Sequence, residues 1–281
     1  MKTGIVDVGG GLRDIYGAGV LDRCLDEGIH FDLCIGVSAG AANLTTFLAG
    51  QRGRNFTFYT EYAFRKEYMS MKNYLHSRSY VDLDYVYSTL SNSDGENPVD
   101  YARIAADPAE FLVVASDAES GMVKYFTKAD MGQDNYDICK ASCAIPFVCR
   151  PYPVGLRIYY DGALSDPVPV AKAFEEGCDK VVVILTRPKS VVRMMGKDEM
   201  IARRIRHKYP LAADNLLRRA ERYNAGVALA KEYEKQGKAL IVAPVSSGGL
   251  GTLTRDKEAL ERFYRTGYAD AAGIGGFLAS T

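Results

Sequence analysis

The chain of 281 residues has no excess of either charge. Its 35 Lys and Arg balance 35 Asp and Glu, so the formal net charge is zero. Bulk electrostatics therefore argue against a nucleic-acid partner. No run of about 18 apolar residues occurs, so no stretch is suited to spanning a bilayer. The first residues, MKTGIVDVGGG, hold a short apolar stretch broken by Asp7, unlike a secretory leader, and the expected compartment is the cytoplasm. None of the 6 cysteines forms a C-x-x-C pair, which argues against a disulfide framework. Cys139 and Cys143 are placed to share a helix face, but no histidine or second pair lies near them, so no metal site is expected. Histidine is the scarcest catalytic residue type. Only His30, His76 and His207 are available as imidazole bases.

What is present suits a globular enzyme. The hydrophobic share is 47% and the charged share 25%, and the length is enough to bury a substantial core. GIVDV (4–8) reads as a buried strand. Residues 17–27 read as a helix with Val20, Leu21, Cys24 and Leu25 on one face, ended by Gly28. FDLCIGV (31–37) reads as a second strand and residues 39–49 as a small-residue helix. Strand, helix, strand, helix in this order predicts an α/β fold with a parallel sheet. Residues 51–110 are less regular and rich in Tyr and Phe, and read as helices and loops capping the sheet. EFLVVASDA and MVKYFT predict a hairpin. Residues 136–145 predict a helix stopped by Pro146, LRIYYDGAL a strand entering a loop, and PVAKAFEEGC a helix. DKVVVILT (179–186) predicts a fully buried strand. A helix over about 212–236, a strand at KALIVAPVSS, a GGLG turn and a final helix over 256–268 complete the chain.

The strongest local pattern is GVSAG, residues 36–40, which matches G-x-S-x-G. By composition alone the pattern arises in about one chain in ten of this length, so its placement carries the weight. It lies between a predicted strand and a predicted helix, where a sharp turn exposes a nucleophile. Gly36 and Gly40 would admit close backbone approach, and Ser38 would sit at a helix N-terminus that favours developing negative charge. Two bases are open to it. Ser38, Asp161 and His207 follow the chain order of an α/β-hydrolase triad, although that fold has several strands before its nucleophile and here Ser38 follows only the second. Alternatively Asp161, in YYDGAL, would act directly. It stands at the end of a predicted strand, where α/β sheets build their sites, with Gly162 behind it. An aspartate before glycine is also an ordinary turn residue.

The run Gly9-Gly10-Gly11 follows the first strand and reaches the same sheet edge. Bare glycines let several N–H groups converge on one anion, and Arg13 would fix the loop or add positive charge. A dinucleotide fingerprint is disfavoured because Asp14 stands where G-x-G-x-x-G needs glycine. A Walker loop is excluded because no G-K-[ST] follows.

Taken together, GGGLR, GVSAG and DGAL in this order resemble the patatin-like phospholipases. ASCAIPFVCRPY before YYDGALSDPVPV is similar to the family's approach to its DGA/G motif. APVSSGGLGTLTRD and ALERFYRTGYADA look similar to a bacterial branch. The resemblance covers at least residues 4–186. It implies a three-layer α/β/α fold with a mainly parallel central sheet, and residues 187–281 would extend a single domain spanning 1–281. It also implies a serine acyl-hydrolase that cleaves lipid carboxylic esters through a Ser38–Asp161 dyad without histidine, metal or cofactor. Gly10 and Gly11, with Gly9 and Arg13, would form the oxyanion loop. One departure stands out. The family loop usually continues to glycine after the arginine, and here Asp14 follows. Its effect on the loop keeps a catalytically weak lipid-binding or scaffold protein as an alternative.

Three further features have two readings each. The basic stretch 187–208 suits anionic lipid head groups at a peripheral membrane contact, and equally a solvated or partner-facing helix. The aromatics of 56–75 suit an acyl pocket or lid, and equally core packing. SSGGLG resembles a phosphate loop only in composition and reads as a turn.

Overall fold

A computed structural model describes residues 1–280, so the last residue of the expected 1–281 domain lies outside the described part. The strands are β1 (Thr3–Asp7), β2 (Leu33–Val37), β3 (Glu110–Asp117), β4 (Val123–Thr127), β5 (Tyr152–Val154), β6 (Arg157–Asp161), β7 (Lys180–Ile184) and β8 (Ala239–Val242). The helices are α1 (Ile15–Asp26), α2 (Ala39–Leu48), α3 (Arg54–Thr60), α4 (Met71–Ser77), α5 (Tyr101–Ala106) and α6 (Asp137–Cys143). They continue with α7 (Val170–Glu175), α8 (Asp198–Ile205), α9 (Pro210–Lys235), α10 (Lys257–Asp270) and α11 (Ile274–Ala279). The strands form one 8-stranded sheet in the order β5-β6-β3-β2-β1-β7-β8, with β4 also on β3. The five strands β1, β2, β3, β7 and β8 run parallel, β4 and β6 run against them, and β5, antiparallel to β6, points their way again.

The central strands are apolar on both faces because helices cover both. Ile5, Cys34, Val113 and Val182 point into a core shared with α1, α2 and α10. Their neighbours Val6, Ile35, Val114 and Val183 point the other way, against α7 and α9. This is the expected three-layer arrangement. Gly19 lets α1 and α10 touch, since a side chain there would strike the Tyr264 carbonyl.

Most predicted elements are present, with differences at the periphery. β5 and α11 had no counterpart in the sequence reading, α8 covers only part of the basic stretch 187–208, and α10 is followed by α11 instead of ending the chain. Residues 51–110 form short helices, as expected for a capping region.

One difference concerns the site itself. Asp161 stands at the end of its strand, as expected, but that strand, β6, is antiparallel to β3. It arrives from the opposite direction. β2 pairs with β3 up to Val37 opposite Val114, and β6 pairs with β3 from Asp161 opposite Ala115. β4 occupies the other side of β3 over Leu112–Ser116. β2 and β6 therefore share one lane beside β3 and meet end to end at Val114. At that junction Gly162 is required, because any side chain would collide with the Val114 carbonyl. Gly162→Ala is expected to lower the thermal midpoint by roughly 5 °C, corresponding to about 2 kcal/mol. Calorimetry checks this, and an unchanged midpoint would mean the junction is loose.

Candidate active site

The head-on meeting of β2 and β6 places Ser38 and Asp161 together. Ser38 has φ 57° and ψ −130° at the first residue past β2, immediately before α2. A non-glycine residue in the left-handed half of the map is strained, and that strain marks the sharp strand-to-helix turn. The turn needs its glycines for contact reasons. A side chain at Gly36 would strike the Ala41 backbone, and one at Gly40 would strike the Asp7 carbonyl.

The backbone of the turn is pinned by a residue with no motif to announce it. Ser142, on α6, accepts the Ser38 N–H at 2.8 Å and donates its own hydroxyl to the Val114 carbonyl at 2.6 Å. Asp161 is equally fixed. Its N–H donates to Ala144, its carbonyl accepts from Ser116 Oγ at 2.9 Å, and its Oδ1 accepts the Ala163 N–H at 2.8 Å. Its carboxyl faces the Ser38 hydroxyl. Burial pushes that carboxyl above the ordinary aspartate value, while the Ser38 hydroxyl, the Ala163 N–H and the Arg219 and Arg193 charges pull it back. Both residues are nearly enclosed, Ser38 being 6% exposed and Asp161 3%.

The glycine loop lies against the turn. Gly9 has φ +70°, and a side chain on it would collide with the Val37 carbonyl. Its N–H donates to Asp7 Oδ1 at 3.1 Å. Gly9, one of the expected oxyanion donors, is thus already engaged, while Gly10 and Gly11 are half-buried at the mouth. Arg13 also departs from a role as a free positive charge. Its guanidinium is buried and donates to Thr186 Oγ1 at 3.2 Å, and Thr186 in turn donates to the Gly9 carbonyl at 2.8 Å. Burial, with the nearby Arg187, pushes Arg13 down to about 10. Arg13 braces the loop from behind. The turn after β8 holds the far end, where the Leu12 N–H donates to the Thr252 carbonyl at 2.8 Å.

Ser38 opens into a pocket. Phe58, Tyr59 and Tyr68 line it, as the aromatic run suggested, and Tyr87, Cys139 and Cys143 complete much of its wall from other segments. Its walls are mainly apolar, with Gly11 and Leu12 beside the serine. Arg54 also lines it, donating to Thr46 Oγ1 at 3.1 Å and Ser91 Oγ at 2.9 Å. The three histidines stay outside. His30, His76 and His207 are all exposed, and His207 lies in the turn between α8 and α9. All six cysteines are unpaired.

Removing the Ser142 hydroxyl leaves the Ser38 N–H and the Val114 carbonyl buried without a partner. Ser142→Ala is expected to cost about 1–3 kcal/mol in urea unfolding and to slow reaction of Ser38 with a fluorophosphonate. Unchanged stability and labelling would show that the turn is held by other means.

A family model described as patatin-like phospholipase matches residues 8–174, and a domain of unknown function (DUF6363) matches residues 209–274. The uncharacterized protein YjjU of Escherichia coli (strain K12) is 30% identical over 195 residues, which are 68% of this chain and 53% of that protein. This chain spans about half the length of that relative. Among solved structures, VipD from Legionella pneumophila matches with a TM-score of 0.47 at 14% identity, covering 97% of this chain and 66% of that one. The first of these matches takes in more than half of the residues, with the glycine loop, the serine turn and the aspartate all inside it, and the chain accordingly belongs to the patatin-like phospholipase family.

Proposed function

We propose that this protein is a serine acyl-hydrolase that cleaves carboxylic esters of lipids with Ser38 as nucleophile and Asp161 as proton acceptor. The observation that carries this reading is the strained Ser38, facing the buried Asp161 and opening into an apolar pocket. An acyl chain fits such a pocket by burying its methylenes, at about 0.8 kcal/mol each. The ester carbonyl would then lie over Ser38, with its oxygen toward the Gly10 and Gly11 N–H groups.

The steps follow from these positions. Ser38 Oγ attacks the carbonyl carbon while its proton passes to Asp161. The tetrahedral oxyanion is held by the loop N–H groups. Collapse breaks the ester bond, and Asp161 returns the proton to the leaving alcohol. Water, deprotonated by Asp161, then attacks the acyl-enzyme and frees Ser38 and the fatty acid. An aspartate is a weak base at its usual value of about 3.9. Burial raises Asp161 and makes it a better one. Rigid support on every side removes the cost of reorienting it during the reaction. His207 has no part in this reading.

The C-terminal part belongs to the same working unit on this reading. β8 extends the sheet, α10 packs on α1, and Thr252 holds the glycine loop. The substrate surface would be a bilayer. No helix among the described residues is long and apolar enough to cross a membrane. The segment after β7, at the same sheet edge as Ser38, instead exposes Val192 (68%) and Met194 (79%) beside Lys189 and Lys197. Apolar side chains ringed by cations suit the anionic face of a membrane.

Ser38→Ala and Asp161→Asn should each lower kcat on a p-nitrophenyl acyl ester by at least about 10³-fold while the circular dichroism spectrum is unchanged. His207→Gln should stay near the parent rate. Activity should fall toward acid as Asp161 takes up a proton, with a midpoint above that of an ordinary aspartate. Full activity in either dyad variant, or collapse in His207→Gln, would refute the dyad. In vesicle sedimentation, the double variant Val192→Gln, Met194→Gln should bind anionic phosphatidylglycerol vesicles at least about tenfold more weakly. Equal binding would place the membrane contact elsewhere.

A further inference from the structure

The glycine loop is closed at both ends by carboxyl groups with no solvent access. Asp7 ends β1, and Asp14 ends the 3-10 turn Gly11–Asp14 and caps α1. Both are 0% exposed. They converge on the bare backbone of Gly17, where Asp14 Oδ1 and Asp7 Oδ2 come within 2.6 and 2.7 Å of the point a Cβ would occupy. A helix-interior glycine costs about 1 kcal/mol relative to alanine. Here it provides the room the two carboxyls need.

Their partners are few. Asp7 accepts from Gly9 N–H through Oδ1, and Asn43 Nδ2 donates to Asp7 Oδ2 at 3.4 Å and to the Asp14 carbonyl at 2.9 Å. Neither Asp14 carboxyl oxygen has any other hydrogen-bond partner, leaving Asp7 as its polar neighbour. The titratable groups facing the pair are the Arg13 guanidinium, in the same turn, and the Tyr59 hydroxyl on α3, which donates to Asn43 Oδ1 at 3.2 Å. Arg13 is turned toward Thr186. Two unprotonated carboxylates buried side by side would repel, and the Gly9 and Asn43 donors with the Arg13 charge offset only part of that.

We propose that Asp7 and Asp14 share one proton and act as positioning residues, their O–H···O contact fastening the two ends of the glycine loop so that Gly10 and Gly11 are held against the Ser38 turn. Loss of that proton sets like charges at both ends of the loop and disrupts it. Asp7 is the point where loop and turn meet, since its N-terminal strand leads into the loop and its carbonyl fills the space beside Gly40. Asp14 then belongs to this loop as half of a carboxyl pair, which fits a working site as well as the glycine usual there.

The direction of the pH effect follows. Burial raises both carboxyls, Asp7 to about 6 and Asp14 well above its usual value. The folded protein thus keeps a proton that the unfolded chain has released above its ordinary aspartate value. Stability from the pair is complete in acid and declines as pH rises through the folded-state values. Loop order, and with it kcat, should decline in the same alkaline range.

The inference rests on the acyl-hydrolase reading, and the test separates the two. Asp14→Asn keeps a hydrogen-bond donor beside Asp7 and cannot ionise. Its alkaline limb of kcat against pH should move up by at least about one unit with little change in KM, and its thermal midpoint should decline less with rising pH. Asp14→Leu, with no donor, should lower kcat about tenfold at every pH. An alkaline limb and a midpoint profile in Asp14→Asn that superimpose on the parent would overturn the pair. Fluorophosphonate labelling across the same pH range tests the catalytic reading on its own. If Ser38 fails to label at any pH, that reading falls, and the thermal profiles still decide the pair. If Asp14→Asn does not fold, 13C spectra of the parent protein labelled at the aspartate carboxyl carbons replace it. A carboxyl still protonated well above the ordinary aspartate range is expected, and its absence would overturn the proposal.

Discussion

The arrangement of the site depends on one constraint: two strands share a single lane beside β3. β2 descends it as far as Val114 and β6 climbs it as far as Ala115. The gap between their ends is one residue step along β3, so the first residue past β2 and the last residue of β6 must face each other. Ser38 and Asp161 are those residues. Backbone pairing brings the proposed nucleophile and base together from positions far apart in sequence, before any side-chain interaction is counted. The Val114 carbonyl at the junction receives the Ser142 hydroxyl, and Gly162 leaves it room.

Around this junction the polar groups are arranged in depth. Ser142 and Ser116 hold the backbones of Ser38 and Asp161. Arg13 and Thr186 hold the glycine loop from one side, and Thr252 from the other. Asp7, Asp14 and Asn43 tie the loop to the helix that follows Ser38. Such a network is costly to bury and rigid once satisfied. Rigidity is what a weak carboxylate base requires, because it works only in direct contact with its proton donor. The apolar pocket beyond Ser38 completes the contrast: the reacting end of a substrate would meet fixed dipoles, and its chain would meet aromatic and aliphatic walls.

Much of this was legible in the sequence. The β1-α1-β2-α2 order could be read because each strand is a short apolar run and each helix is closed by glycine. GVSAG and DGAL could be read because close backbone contact requires glycine at fixed spacing. What the sequence left hidden is tertiary. An apolar run does not tell which way its strand points, so the antiparallel direction of β6 could not be read. Ser142 is one serine in a small-residue helix, and only its partner 104 residues away reveals its task. Arg13 read either as a brace for the loop or as an added positive charge, and its inward turn depends on Thr186, just past β7. Asp14 read as a departure from a pattern. Its fit became visible only when Asp7 and the bare face of Gly17 were found beside it. α8 is short and mostly charged, with only Ile201, Ala202 and Ile205 to mark its buried face, and β5 is too short for alternation to register.

The most direct measurement of the account is the crystal structure of the protein after a long-chain alkyl phosphonate has reacted with it. The account predicts a covalent bond to Ser38 Oγ, the phosphoryl oxygen within hydrogen-bond distance of the Gly10 and Gly11 N–H groups, Asp161 beside the Ser38 oxygen, and the alkyl chain between Phe58 and Tyr87. A phosphonate on Ser38 whose oxygen points away from the glycine loop, or a protein that forms no adduct there, would contradict it.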